Sequence, residues 1–305
     1  MLKKFTYLTL TLAGVFLMTA CGGSSNKGGS SSDELTFNDS LANTAPLELS
    51  QEVMSDVIQN ISSPVEMAAL IKSTGVEFSQ RILNSTNQTD QYNTSFKRAL
   101  NLGVYSADLG YINTFDKNTI VIDYLVAVKS LAEGIKVGQF FDFNSLKRLA
   151  TNSNNLDSLM QISISSFNKM DSYLRSQNRS NVSSLIITGA WIEGLYITGK
   201  VIEQTNDENL IKRIGEQKDI INILEIILKN YSSQPNFSEL ADQLGNLKEA
   251  YKDVKITTEV GEPTTVEKDG KLVIIQDEIS HIEITPEQVT AIIAEINALR
   301  EFIVS

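Results

Sequence analysis

Between Pro64 and Pro235 the chain contains no proline, and apolar residues from about Ser50 to Val254 return mostly at helical spacing. Short connections rich in Asn and Ser separate these runs, so this part of the chain is expected to fold as an all-α body. Ser63-Pro64-Val65-Glu66 reads as a helix start, with Ser63 as cap, Pro64 in the first turn and Glu66 able to return a hydrogen bond. That helix is expected to run to about Asn84, ahead of a polar loop at Ser85 to Thr89. Further helices are expected near 90–115, 117–136, 145–178 (broken around Asn152 to Asn155), 181–204, 207–231 and 237–253. Leu210, Ile214, Ile221, Leu224, Leu228 and Tyr231 form one apolar seam with Gln217 in its gap, the pattern of a helix in an antiparallel bundle.

The pattern changes near Lys255. Thr257 to Val260 and Leu272 to Ile284 are β-rich, and Asp269-Gly270 is a good hairpin turn. Thr285-Pro286-Glu287-Gln288 then repeats the capping logic and opens a last helix whose Val289, Ile292, Ile293, Ile296, Leu299 and Ile303 share one face. The expected fold class is therefore mainly α: a multi-helix antiparallel bundle over 47–254, with a small β-hairpin and a docking helix over 255–305 packed on it.

The first 46 residues carry an address. Lys3 and Lys4, the apolar run Phe5 to Phe16 and the small residues Thr19-Ala20 lead into Cys21, the one cysteine in 305 residues. This reads as a signal peptide over 1–20 with a lipobox, because acyl attachment needs a thiol directly behind small side chains. Acyl chains contribute about 0.8 kcal/mol per buried methylene, enough for lasting attachment without a spanning helix. The Gly, Ser and Asn tract that follows lies within a tether at 21–46, which from Cys21 to about Leu47 would reach roughly 30 Å as a flexible chain. Gly22 behind the cysteine, in place of Asp, resembles signals for the outer membrane, and the first acids come only at Asp33 and Glu34, which favours its periplasmic face, with cell-surface exposure as the alternative.

Charge narrows the partners. The chain has 26 basic and 37 acidic residues, a net of −11, and loss of Lys3 and Lys4 with the signal makes it more acidic. No cluster of Lys and Arg marks a helix, which argues against nucleic acid as a partner. With a single cysteine no internal disulfide can form, so stability must come from burial.

Two segments are apolar nearly all round yet carry a central carboxylate. In Leu102 to Tyr111, Asp108 lies one helical turn from Tyr105 and Tyr111. In Leu185 to Ile202, Glu193 lies one turn from Tyr196 and close to Trp191, while Gly189, Gly194 and Gly199 thin the helix. Helical glycine costs about 1 kcal/mol relative to alanine, so these helices are expected to approach a neighbour closely at the centre of the bundle. One reading places Tyr105, Asp108, Tyr111, Trp191, Glu193 and Tyr196 around a ligand-binding cleft. The other makes each carboxyl a hydrogen-bonded structural group, the default for a buried acid.

Other chemistry has less support. His281, the only histidine, sits in the hairpin without Cys, His or paired Asp nearby, so neither a metal site nor a histidine-dependent triad is expected. No glycine-rich turn follows a strand, and no cofactor is indicated. A carboxylate-dependent hydrolase stays as a second alternative, weakened for sugar substrates by 7% aromatic content and one Trp.

The run Ala99-Leu100-Asn101-Leu102-Gly103-Val104-Tyr105-Ser106-Ala107-Asp108-Leu109-Gly110-Tyr111, with Trp191-Ile192-Glu193-Gly194-Leu195-Tyr196 and the closing helix Thr285 to Ile303, resembles a family of uncharacterised, mainly helical Bacteroidetes lipoproteins. The resemblance implies helices, lipidation at Cys21 and an envelope location, and no activity. The expectation is a lipid-anchored envelope protein of binding or interaction type, held to the membrane by its N-terminal lipid and partnered by another envelope protein. A small-ligand receptor is the alternative.

Overall fold

A computed structural model describes residues 64–150, 156–261, 264–268, 271–275 and 278–305. Cys21, the tether, Ser63, the break at 152–155 and the Asp269-Gly270 turn lie outside the described residues. The architecture is mainly α, with ten α-helices among the described residues. They are α1 (Pro64–Ser73), α2 (Ser95–Thr114), α3 (Asn118–Gly134), α4 (Phe143–Ala150), α5 (Leu156–Ser176), α6 (Ser180–Thr205), α7 (Glu208–Gly215), α8 (Lys218–Lys229), α9 (Pro235–Ala250) and α10 (Pro286–Val304). Strands β1 (Lys255–Val260), β2 (Thr264–Lys268), β3 (Lys271–Ile275) and β4 (Glu278–Glu283) separate α9 from α10.

Helices α2 and α6 form the centre of the molecule and pack more extensively on each other than any other pair. Both are buried around most of their circumference, which explains sequences that lack a clean polar face. Their close approach is made by glycine. A Cβ on Gly103 would fall 2.5 Å from the Ala190 amide nitrogen and inside the Ile186 carbonyl oxygen. A Cβ on Gly189 would strike the Leu100 carbonyl, 2.8 Å from its carbon. Gly199 instead meets Ile293 of α10 at an ordinary 3.4 Å, and a Cβ on Gly194 would touch nothing within 4 Å. By length and composition α6 could cross a membrane, but 78% of its most apolar window is buried in this fold, as befits a core helix.

Two sequence expectations about helix length are corrected. Helix α1 ends at Ser73 rather than near Asn84, because Gly75 adopts φ 78° and the chain turns back through short 3-10 turns at Gln80–Ile82 and Thr86–Gln91. The seam at 207–231 is two helices, not one. The break falls between α7 and α8 at Gln217, which is only 3% exposed and accepts a hydrogen bond from Trp191 Nε1 at 2.9 Å. The polar residue in the apolar seam is thus where the helix divides and where the indole finds its acceptor.

The β-segment forms two antiparallel pairs, β1 with β4 and β2 with β3. The pairing Lys268↔Lys271 leaves two residues between β2 and β3, as a hairpin turn requires. Three residues separate β1 from β2 while two separate β3 from β4, so the two ladders cannot run on in one register. In the inner pair Ile256 and Ile282 are half-buried, while their neighbours Thr257, His281 and Glu283 are exposed. Ile282 and Ile284 pack at Gly215, the end of α7.

Helix α10 begins with a complete capping box. Thr285 Oγ1 accepts the Gln288 N–H at 3.3 Å, and Gln288 Oε1 accepts the Thr285 N–H at 2.7 Å. Six of its apolar residues, Val289, Ile292, Ile293, Ile296, Leu299 and Ile303, are buried, and the helix packs against α6, α9 and α2. Each such side chain contributes about 1.5–3 kcal/mol when removed from water.

Candidate functional site

The acids singled out in the sequence meet where α2 crosses α6. Asp108 and Glu193 are each 0% exposed, and each lies close enough to move the titration of the other. What brings the third member is α10. Arg300 clasps Glu193 in a two-pronged pair, Nε to Oε2 at 3.0 Å and Nη2 to Oε1 at 3.1 Å, with only 14% of its side chain exposed. The guanidinium also lies over the Tyr196 ring, 4.4 Å from its centroid, and Lys200 Nζ lies 5.5 Å from the same centroid.

The other side of the pair is closed by a loop. Asn84, 3% exposed, donates its backbone N–H to Asp108 Oδ2 at 3.1 Å. Its side chain donates to the Tyr92 hydroxyl at 3.0 Å and reaches Asn101 Oδ1 at 3.4 Å, while its carbonyl accepts the Tyr124 hydroxyl at 2.9 Å. The tyrosine and the second asparagine then bind the end of α10. The Tyr92 hydroxyl donates to the Val304 carbonyl at 3.2 Å, and Asn101 Nδ2 donates to the Ile303 carbonyl at 2.9 Å. Two orphan carbonyls of a helix terminus are thereby satisfied inside the protein.

Burial pushes the Asp108 carboxyl well above the usual carboxylate range, and the neighbouring Glu193 charge pushes it the same way. Glu193 is also raised by burial, against the pull of Arg300 and of the Asp108 hydrogen bond. Burial moves the hydroxyls of Tyr92, Tyr105 and Tyr124 upward, so they stay neutral. One atom of the pair lacks a partner. Asp108 Oδ1 is sealed from solvent and receives no donor, whereas both Glu193 oxygens take an Arg300 N–H. A proton on Asp108 would satisfy that oxygen and, with Glu193 ionised, would leave the three groups with no net charge.

Of the other residues named from the sequence, Tyr105 and Tyr196 flank this cluster, whereas Tyr111 and Trp191 turn elsewhere. Tyr105 donates to the Ser85 carbonyl at 2.6 Å. The Tyr111 hydroxyl accepts the Ser79 N–H at 3.3 Å and its ring stacks on Phe78 at 5.3 Å. Trp191 points to Gln217. Sequence reasoning missed Asn84, Tyr92, Asn101, Tyr124 and Arg300. One signal was present for Arg300, a cation four residues after Ile296 and three before Ile303 on an otherwise apolar face.

Among the described residues no group of three or more His, Cys, Asp or Glu side chains could hold a metal ion. His281 faces Glu259 across β1 and β4 at 3.7 Å with 58% of its side chain exposed. No protein family model, curated protein or solved structure matches this chain.

Proposed function

We propose that this chain is a lipid-anchored protein of the cell envelope that acts by binding another envelope component rather than by catalysis. The observation that carries this reading is the state of the Asp108–Glu193 pair: both acids are 0% exposed, and Glu193 is committed to Arg300 inside the fold. A hydrolase needs carboxyl groups in reach of substrate and water, and a receptor needs a cleft that opens on them. A sealed pair supports the part of a structural fastening instead. The anchor is supported by Lys3, Lys4, the apolar run ending at Phe16 and the lone Cys21, and by the resemblance to helical Bacteroidetes lipoproteins. Gly22 supports the outer membrane, and the late first acids, Asp33 and Glu34, support its periplasmic face.

Two measurements test the reading. Metabolic labelling with a palmitate analogue is expected to mark the wild-type protein and not Cys21→Ser, which should leave the membrane fraction for the soluble one. Identical fractionation of the two would contradict the anchor. In-cell cross-linking of the native lipoprotein is expected to recover a second envelope protein, and recovery of this chain alone would contradict the interaction reading.

A further inference from the structure

The cluster at the α2–α6 crossing places two carboxyl groups against one guanidinium. With both acids ionised, the two fully buried carboxylates would leave one negative charge uncompensated by Arg300, an unfavourable state. Charge balance therefore requires one proton, and Asp108 Oδ1 is the one carboxyl oxygen of the pair that accepts no donor and so is free to carry it. The same three groups join the last helix to the core, since Arg300 belongs to α10, Glu193 to α6 and Asp108 to α2.

We propose that the buried proton on Asp108 is a latch for the C-terminal helix, so that its loss as pH rises loosens α10 from the bundle. The latch works through electrostatics. A second carboxylate beside Glu193 would repel it, and Arg300 cannot neutralise both. Opening of α10 hydrates the pair, and Asp108 then ionises with the pKa of an ordinary carboxylate.

The other charged and titratable groups near the pair do not supply this dependence. From α2 and α3 come Tyr105 and Tyr124, and from the turn before α2 comes Tyr92, all with hydroxyls pushed upward by burial. Asp123, on α3 beside Tyr124, is exposed. From α6 come Tyr196 and Lys200, the latter bound to Glu203 at 3.0 Å, and from α10 comes Arg300, held cationic by Glu193. His281 lies on β4 and is mostly exposed.

The sign follows from proton counting. The latched form holds a proton that the opened form releases above the ordinary carboxylate range. Stability from the latch is thus full in acid and is lost as pH rises toward the raised pKa of Asp108. One proton per opening corresponds to a rise of up to about tenfold in the opening constant per pH unit.

Hydrogen exchange of the full chain, scaled for intrinsic exchange, tests this between about pH 5 and about pH 8. In the wild type the opening constant of residues 286–305 is expected to climb with pH. In Asp108→Asn, whose amide donates permanently to Glu193 and still accepts from Asn84, the climb is expected to vanish. An unchanged slope in D108N, or no slope in the wild type, would overturn the proposal. Should D108N fail to fold, calorimetric unfolding of the wild type near neutral pH, in two buffers of different ionisation heat, gives an independent answer. Release of about one proton per chain supports the latch and release of none overturns it.

Discussion

Arg300→Met is expected to lower the unfolding free energy by about 3–5 kcal/mol, the cost of breaking a buried ion pair from one side. The change keeps an unbranched side chain of suitable length over the Tyr196 ring but removes both donors from a carboxylate that is 0% exposed. A protein of this size loses roughly 2–4 °C of melting temperature per kcal/mol, so the effect is large enough to read from a thermal melt. Glu193 can recover only by taking up a proton, and the loss should therefore shrink in acid. An unchanged melting temperature at neutral pH would mean that Arg300 already spends its time in solvent.

Gly189→Ala is expected to be at least as damaging, costing more than about 3 kcal/mol or preventing folding altogether. The obstacle to a methyl group here is the Leu100 carbonyl of α2, which is backbone and cannot rotate aside as a side chain would. Relief would require the two central helices to separate, and their shared interface is the largest in the fold. Gly194→Ala, five residues along the same helix, is the matched control. Its Cβ meets nothing within 4 Å, and the gain in helix propensity should stabilise the protein by about 0.5–1 kcal/mol. Opposite shifts of the urea midpoint for the two substitutions are the expected result. Equal shifts would show that helix propensity, not the close approach of α2 and α6, governs both sites.

What could be read from the residues was whatever depends on local period and local chemistry. The absence of proline from 65 to 234 and the 3.6-residue recurrence indicated helices, and Thr285-Pro286-Glu287-Gln288 marked the capping box that α10 uses. Glycines within apolar helices indicated close approach, and Gly103 and Gly189 serve it. The meeting of Asp108 with Glu193 was legible only as a question, since nothing within either helix says which neighbour it faces. Gly75 lay inside the helix expected to run to Asn84, and a left-handed residue there ends it early. That early stop frees the loop that carries Asn84 to Asp108, a contact with no periodic signature. The partner of Arg300 was equally hidden, because it lies 107 residues away in the chain.

The account rests on Glu193 and Arg300 acting as one unit that fastens the final helix to the core. A double-mutant cycle in urea unfolding, using Glu193→Gln, Arg300→Met and the two together, measures this directly. The expected result is a coupling of about 2–3 kcal/mol, with the double variant losing far less than the sum of the single losses. Additivity within about 0.5 kcal/mol would contradict the account, because the two side chains would then contribute to stability independently.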